Sequence, residues 1–212
     1  MHELAGVWAD RNGRIWIGAT VLFYVLVLIP FNFPGIDIFG ISLRPAAFMP
    51  VTLGILFGPA AAWGLGIGNI AGDFFGGSWS AMSIFGFLVN LLIPYLSYRL
   101  FHRLMRGQKI RRDYQTLVCF LAVSLIVVCS CMVLLAACGT VFFDRPFLSK
   151  ATSYLGNNLF WAMVVGPAFF WFVVDAALRN NIVYGREWEV RAGESGAEEK
   201  QGQESFPDTP RM

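Results

Sequence analysis

Long apolar runs, separated by short polar or Gly/Pro-rich stretches, dominate the chain. A helix needs about 20 largely apolar residues to cross a bilayer. Six windows meet or approach that requirement: residues 15–33, 41–57, 60–75, 79–101, 115–143 and 154–178. The second and third are weak individually, because Arg44, Pro45 and Pro50 interrupt the second and the third is short. Phe57-Gly58-Pro59 between them predicts a tight turn. The fifth is long enough to tilt. The predicted fold class is an all-α integral membrane protein, a compact bundle of six transmembrane helices.

Charge orients the set. Arg99, Arg103, Arg106, Lys109, Arg111 and Arg112 cluster between spans four and five, opposed only by Asp113. The positive-inside rule assigns this connection to the cytoplasm. Counting back four spans brings Arg11 and Arg14 inside, and counting forward two brings Arg179, Arg186 and Arg191 inside. Both termini are therefore expected in the cytoplasm. The connections 32–40, 76–78 and 144–153 are expected outside, with Arg145 and Lys150 as their basic exceptions. This gives a cytoplasmic segment 1–14, a membrane domain 15–178 and a cytoplasmic tail 179–212. The tail is read as disordered from about Gly193, where Gly, Ser, Glu and Gln dominate.

Composition narrows the classes further. Of 212 residues, 56% are apolar and 14% charged, against about 25% charged in soluble domains. An ordinary soluble fold, a coiled coil, a disordered chain and a nucleic-acid-binding module are excluded. Cys119, Cys129, Cys131 and Cys138 share one apolar stretch without CxxC spacing, so they read as packing residues. The N-terminus carries Glu3, Asp10, Arg11 and Arg14 ahead of a long apolar run, so the first window reads as a true span rather than a secretory signal.

Polar residues inside a bilayer are costly and therefore informative. Asp37, Arg44, Asn69, Asp73, Asn157 and Asn158 fall in the outer half or at the outer surface of the expected topology. The inner half holds Asn90, Asp175 and the His102 region. Asp175 and Arg179, spaced i, i+4, are expected to pair. Asn69 and Asp73 have the same spacing and share a face, as do Asn157 and Trp161. Arg44, Asn69, Asp73, Asn157, Asn158 and Trp161 are the candidate substrate-binding residues. A carboxylate, a guanidinium, amides and aromatic walls suit a small polar ligand with a flat ring. The plainer alternative is that Arg44 and Asp73 simply pair with each other.

Glycine supplies a second pattern. Gly64, Gly68, Gly72 and Gly76 repeat every four residues, and Gly54 and Gly58 do so in span two. That spacing permits close approach of membrane helices, so these glycines are assigned to helix packing or partner docking. Trp8, Trp16 and Trp188 near one boundary, and Trp79 near the other, suit interfacial anchoring. No Walker A motif, nucleophile elbow or HExxH sequence occurs, and His2 and His102 are far apart. No inverted repeat or dense series of intramembrane carboxylates is evident. The chain is thus not expected to be an enzyme, and no catalytic residue, metal site or cofactor is assigned.

The stretch 42–77, SLRPAAFMPVTLGILFGPAAAWGLGIGNIAGDFFGG, resembles the substrate-binding S components of energy-coupling factor (ECF) transporters. The shared features are a Pro-bounded second span, the Phe57-Gly58-Pro59 turn, and a Gly-rich third span ending in Asp73. The stretch from Asn157 to Trp161, through Gly166-Pro167, looks like the family's last span. The Arg44-Pro45 start of span two is most similar to the queuosine-precursor group. The resemblance covers residues 15–178. It implies a subunit of a bacterial or archaeal cell membrane that captures a vitamin or related micronutrient from outside. The subunit would dock on a membrane coupling subunit carrying two cytoplasmic ATPases and topple to deliver its cargo. It also implies a lid, here residues 32–40 with Pro34-Gly35, and a small-residue docking surface on span one. Gly18 and Ala19 fit that surface, whereas Phe23 departs from the family's AxxxA-type pattern. The alternative reading is a membrane-embedded sensor-like or partner-binding protein without transport activity.

Overall fold

The structure is a computed structural model that describes residues 2–32, 37–38, 41–42, 44–105, 110–180 and 182–184. Its elements are α1 (His2–Ala9), α2 (Arg11–Asn32), β1 (Asp37–Ile38), β2 (Ile41–Ser42), a 3-10 turn (Pro45–Phe48), α3 (Met49–Phe75), α4 (Met82–Met105), α5 (Tyr114–Phe143), α6 (Phe147–Phe160), a π-helical turn (Trp161–Val165) and α7 (Gly166–Arg179). The two short strands form one antiparallel hairpin in which Asp37 pairs with Ser42. All other regular structure among the described residues is helical, as an all-α membrane bundle requires.

Among the described residues, five stretches are long and apolar enough to cross a membrane: Arg11–Pro30, Pro45–Phe75, Met82–Met105, Tyr114–Phe143 and Phe147–Arg179. The second contains a reversal. Gly58 has φ 52° and ψ −126°, outside the helical region, and the left-handed φ suits a residue without Cβ. A straight helix from Arg44 to Asp73 would be about 40 Å long at ~1.5 Å per residue. Both residues nevertheless lie within electrostatic reach of Tyr24 on α2. The two halves of α3 are therefore antiparallel, joined at Phe57-Gly58-Pro59, and the bundle makes six traverses. The Tyr184 N–H donates to the Leu56 carbonyl at 2.7 Å, which ties the chain after α7 to this turn.

Close approach builds the centre of the bundle. Cβ atoms added at Gly64, Gly68 and Gly72 would run into Thr20, Tyr24 and Leu28 of α2 in turn, which makes α2 and the second half of α3 parallel neighbours. A Cβ at Gly54 would lie 2.5 Å from the backbone of Pro94 on α4. Gly76 differs from the other glycines of its series. It is buried, and its N–H donates to the Gly72 carbonyl at 2.8 Å, so it also ends the helix. Gly18 meets nothing within 4 Å, and Ala19 beside it is exposed.

The α4–α5–α7 side is filled instead by large side chains. Phe101, Phe120 and Phe170 are fully buried there, with the Phe120 and Phe170 rings 5.1 Å apart. Asp113 caps α5 by accepting the Thr116 N–H at 2.8 Å, which satisfies one of the unpaired amides of a first turn.

Two expectations need correction. Residues 144–153 are not one loop: α6 starts at Phe147 and contains Lys150. The chain turns at Asp144, which has φ 51°, and Pro146 then supplies the extended N-cap. Asp175 pairs with Arg112 at 3.1 Å rather than with Arg179. The Arg112 guanidinium also lies over the Trp171 ring, 5.4 Å from its centroid. Trp8 and Trp16, expected at a boundary, also make ring contacts within the protein. Trp8 meets Trp63 edge-on at 5.6 Å, and Trp16 stacks on Phe57 at 4.6 Å. The Trp63 indole N–H donates to the Leu4 carbonyl at 2.8 Å, so α1 is clamped beneath the bundle. Arg186, Trp188, Arg191, Arg106, Lys109 and the tail from Gly193 lie outside the described residues.

Candidate substrate-binding site

One end of the bundle gathers buried polar groups from several traverses. Tyr24 faces the protein because α2 carries Ile17, Thr20, Tyr24 and Leu28 along a single buried stripe. Its hydroxyl donates to Asn90 Oδ1 on α4 at 3.2 Å. The Asn90 amide donates to Asn69 Oδ1 at 3.1 Å and to the Gly86 carbonyl at 2.9 Å. Asn69 in turn donates to Asp73 Oδ2 at 3.4 Å, within the second half of α3. Beyond the helix end, the Ser78 hydroxyl donates to Asp73 Oδ1 at 3.3 Å. The Ser78 N–H also donates to the Asp73 carbonyl, at 2.9 Å. The result is a continuous chain, Tyr24–Asn90–Asn69–Asp73–Ser78, across α2, α4 and α3.

A second cluster centres on Asn157 of α6. Its Oδ1 accepts the Arg44 backbone N–H at 2.9 Å and the Trp161 indole N–H at 3.2 Å. Trp161 opens the π-helical turn. Such turns shift the register of the helix that follows and recur at functional sites. Pro45 opens the 3-10 turn immediately after Arg44, so Asn157 holds the point where the chain enters its second traverse.

The sequence-derived residues thus assemble into two sets. Asn69 and Asp73 are bonded to each other, and Arg44, Asn157 and Trp161 share Asn157. Tyr24 links the sets by lying within electrostatic reach of both Arg44 and Asp73. Asn69, Asp73 and Asn157 are buried, with 3%, 6% and 5% of their surfaces exposed, so none is a casual surface polar residue. No ion pair joins Arg44 to Asp73 among the described residues. Asn158 stands apart: its amide donates to the Tyr154 carbonyl of its own helix at 2.9 Å. The hairpin strand β2 packs against α6. Pro34 and Gly35 of the expected lid lie outside the described residues.

Sequence reasoning missed Tyr24 and Ser78 and separated Asn90 from Asn69, to which it is hydrogen-bonded. Tyr24 had a signal, because it occupies the stripe that faces the glycines of α3. Asn90 lies eight residues into α4, or about 12 Å along its axis, which brings it level with Asn69.

Chemically, the arrangement offers acceptors on Asp73 and donors and acceptors on three asparagine amides, with aromatic surfaces at Tyr24 and Trp161. Among the described residues no group of three or more His, Cys, Asp or Glu side chains could hold a metal ion. An apolar six-pass bundle with buried amides and a buried carboxylate at one end is the architecture of a multi-pass membrane protein with a polar interior end. The family model described as QueT transporter matches residues 16–175. The chain belongs to that family, and it is a substrate-binding S component of an ECF transporter. No curated protein and no solved structure matches the chain.

Proposed function

We propose that this subunit captures a purine-like queuosine precursor from outside the cell and delivers it inward by docking on a coupling subunit that carries two ATPases. The family supplies the substrate class. The observation that carries the reading for this chain is the buried Tyr24–Asn90–Asn69–Asp73 chain beside the Arg44–Asn157–Trp161 cluster. A deazapurine ring presents adjacent N–H donors and a carbonyl acceptor on one flat edge. A carboxylate matches the paired donors, and a neighbouring amide N–H matches the carbonyl. The faces of Trp161 and Tyr24 suit the flat ring.

Asp73 has the leading role in this reading. Among the described residues its oxygens accept only from Asn69 and Ser78 side chains, long contacts that ligand N–H groups would replace with shorter, charge-assisted ones. Asn90 and Tyr24 are positioning residues that fix which way the Asn69 amide points. Asn157 holds the Arg44 backbone and orients the Trp161 ring. The basic residues Arg99, Arg103, Arg111, Arg112 and Arg179 cluster at the opposite end of the bundle, so the positive-inside rule turns the polar end outward. Exposed Gly18 and Ala19 on α2 leave a flat strip for a membrane partner.

Mass spectrometry of small molecules released from gently purified protein tests this reading. A stoichiometric deazapurine should accompany the natural chain. Asp73→Ala should weaken binding by about thirtyfold, the cost of losing roughly 2 kcal/mol of charged hydrogen bonding. Asn157→Ala should weaken it less, with both variants still folded. Equal affinity in both variants and the natural chain would reject the site.

A further inference from the structure

A concavity lies between α4 and α5, toward the bundle end opposite the polar site. It has a volume of about 580 Å³ and is lined by Leu96, Leu100, Arg99 and Arg103 of α4 and by Ile126 and Ser130 of α5, among others. The two helices are antiparallel: Cys119 Sγ lies 3.9 Å from the Phe101 carbonyl, and Gly139 lies beside Met82. Leu96 and Arg103 are seven residues apart, about 10 Å along the helix axis. One end of the groove is therefore apolar and deep, and the other is cationic and close to the helix terminus.

The two cations are not equivalent. Arg99 is held by Glu3 of α1 at 3.0 Å. Arg103 is exposed and has no acidic partner among the described residues. Leu96 and Ile126 are exposed large hydrophobic residues, 39% and 52% accessible. In a bilayer this combination faces lipid. Its depth profile matches one molecule: acyl chain at Leu96, Leu100 and Ile126, and phosphate at Arg103.

We propose that the α4–α5 groove binds an anionic phospholipid, with Arg103 on the headgroup phosphate and Leu96, Leu100 and Ile126 along an acyl chain. Glu3 tunes this site by occupying Arg99. The site is separate from the polar end and does not depend on the identity of the transported substrate. Charge complementarity selects the anionic class, because a zwitterionic headgroup carries its own cation to meet the phosphate.

Native mass spectrometry of the full-length detergent-purified protein, incubated with phosphatidylglycerol or phosphatidylcholine, tests it. Phosphatidylglycerol should be retained in preference to phosphatidylcholine. Arg103→Gln should reduce retention about fivefold, the weight of one arginine near an anionic surface. Ile126→Trp, which fills the apolar end while leaving Arg103 in place, should also reduce it. Glu3→Gln should raise retention by releasing Arg99. Arg179→Gln, a basic residue at the same end but outside the groove, should leave it unchanged. Equal retention of the two lipids, unchanged retention in Arg103→Gln, or an equal loss in Arg179→Gln would overturn the proposal.

Discussion

The two halves of α3 and the α6–α7 traverse cross the same bundle under opposite conditions. In the most apolar window of Pro45–Phe75, 83% of residues are buried within the protein, against 22% for Phe147–Arg179 and 28% for Arg11–Pro30. The α3 hairpin is surrounded by protein, whereas the outer helices each give one side to lipid. A helix enclosed by neighbours has no need for bulky apolar residues on every face. It can hold Gly54, Gly58 and Gly64, two prolines, Asn69 and Asp73, provided its neighbours satisfy them. The α6–α7 traverse, 22% buried, and α2, 28% buried, have less of that freedom, because a polar group on their exposed side would meet lipid. The lowest mean hydropathy, 1.5, is shared by Pro45–Phe75 and Met82–Met105, which are 83% and 28% buried, so hydropathy alone does not separate the centre of the bundle from its periphery.

The comparison breaks most sharply at Gly54. A Cβ there would meet the Pro94 Cα and carbonyl at 2.5 Å, and backbone cannot move aside as a side-chain tip can. Gly54→Leu should abolish the folded bundle, and Gly54→Ala should cost toward the upper end of about 1–3 kcal/mol. Gly68→Ala meets only the Tyr24 ring, at 3.0 Å, and should cost less. Leu134→Ala on exposed α5 is the matched lipid-facing control and should cost under about 0.5 kcal/mol. Denaturant titration of the purified variants in mixed micelles gives the order. A Gly54→Ala cost no larger than that of Leu134→Ala would show that the α3–α4 contact is looser than the structure has it.

The next effect belongs to Asn90. Its replacement by Leu removes the partner of Tyr24 and leaves Asn69 Oδ1 without its donor. A buried polar group left unsatisfied costs about 1–3 kcal/mol. Asn90→Leu should thus lower stability by that amount and, if Asn90 positions Asn69 as proposed, weaken ligand binding as well. Tyr24→Phe removes only one end of the chain and should cost less. A double-mutant cycle between the two measured on stability should give a coupling well above zero. Additive costs would mean that the chain does not act as a unit.

How far the sequence anticipates all this depends on the range of the interaction. The six traverses were legible because each long apolar run answers a local demand of the bilayer. The α3 turn was legible because Phe57-Gly58-Pro59 is a local breaker. Asn69 with Asp73, and Asn157 with Trp161, were legible because i, i+4 spacing on a helix is local geometry. Tyr24–Asn90 was not, because it joins residues 66 apart in the chain. The depth of Asn90 also shifts with the start of α4, which begins at Met82 rather than at Trp79. Asp175 chose Arg112, 63 residues away, over Arg179 one turn along its own helix. The early start of α6 was hidden because its first turns mix Ser149, Lys150 and Thr152 with Phe147 and Leu148, a pattern that reads as loop when only apolar runs are counted.

The smallest predicted effect lies outside the membrane, at the start of α5. Asp113 accepts the Thr116 N–H at 2.8 Å, and this backbone hydrogen bond, followed by the nearby Thr116 side chain, holds its carboxyl below the usual carboxylate value. Asp113→Ala should cost roughly 1 kcal/mol of stability, the usual worth of an N-cap. The pH dependence has a definite sign. A carboxyl whose value is lowered on folding stabilises the folded state above its ordinary value, and the benefit fades as pH falls through the lowered one. The difference between natural chain and variant should therefore be constant near neutral pH and shrink only in acid. The packing of α5 and the Arg112–Asp175 pair beside the cap are common to both proteins and cancel in their difference, so this cap isolates the contribution of a helix end. Thermal unfolding at neutral pH and at successively lower pH measures it. A difference that grows in acid would place the stabilising contact of α5 elsewhere than at the Asp113 carboxylate.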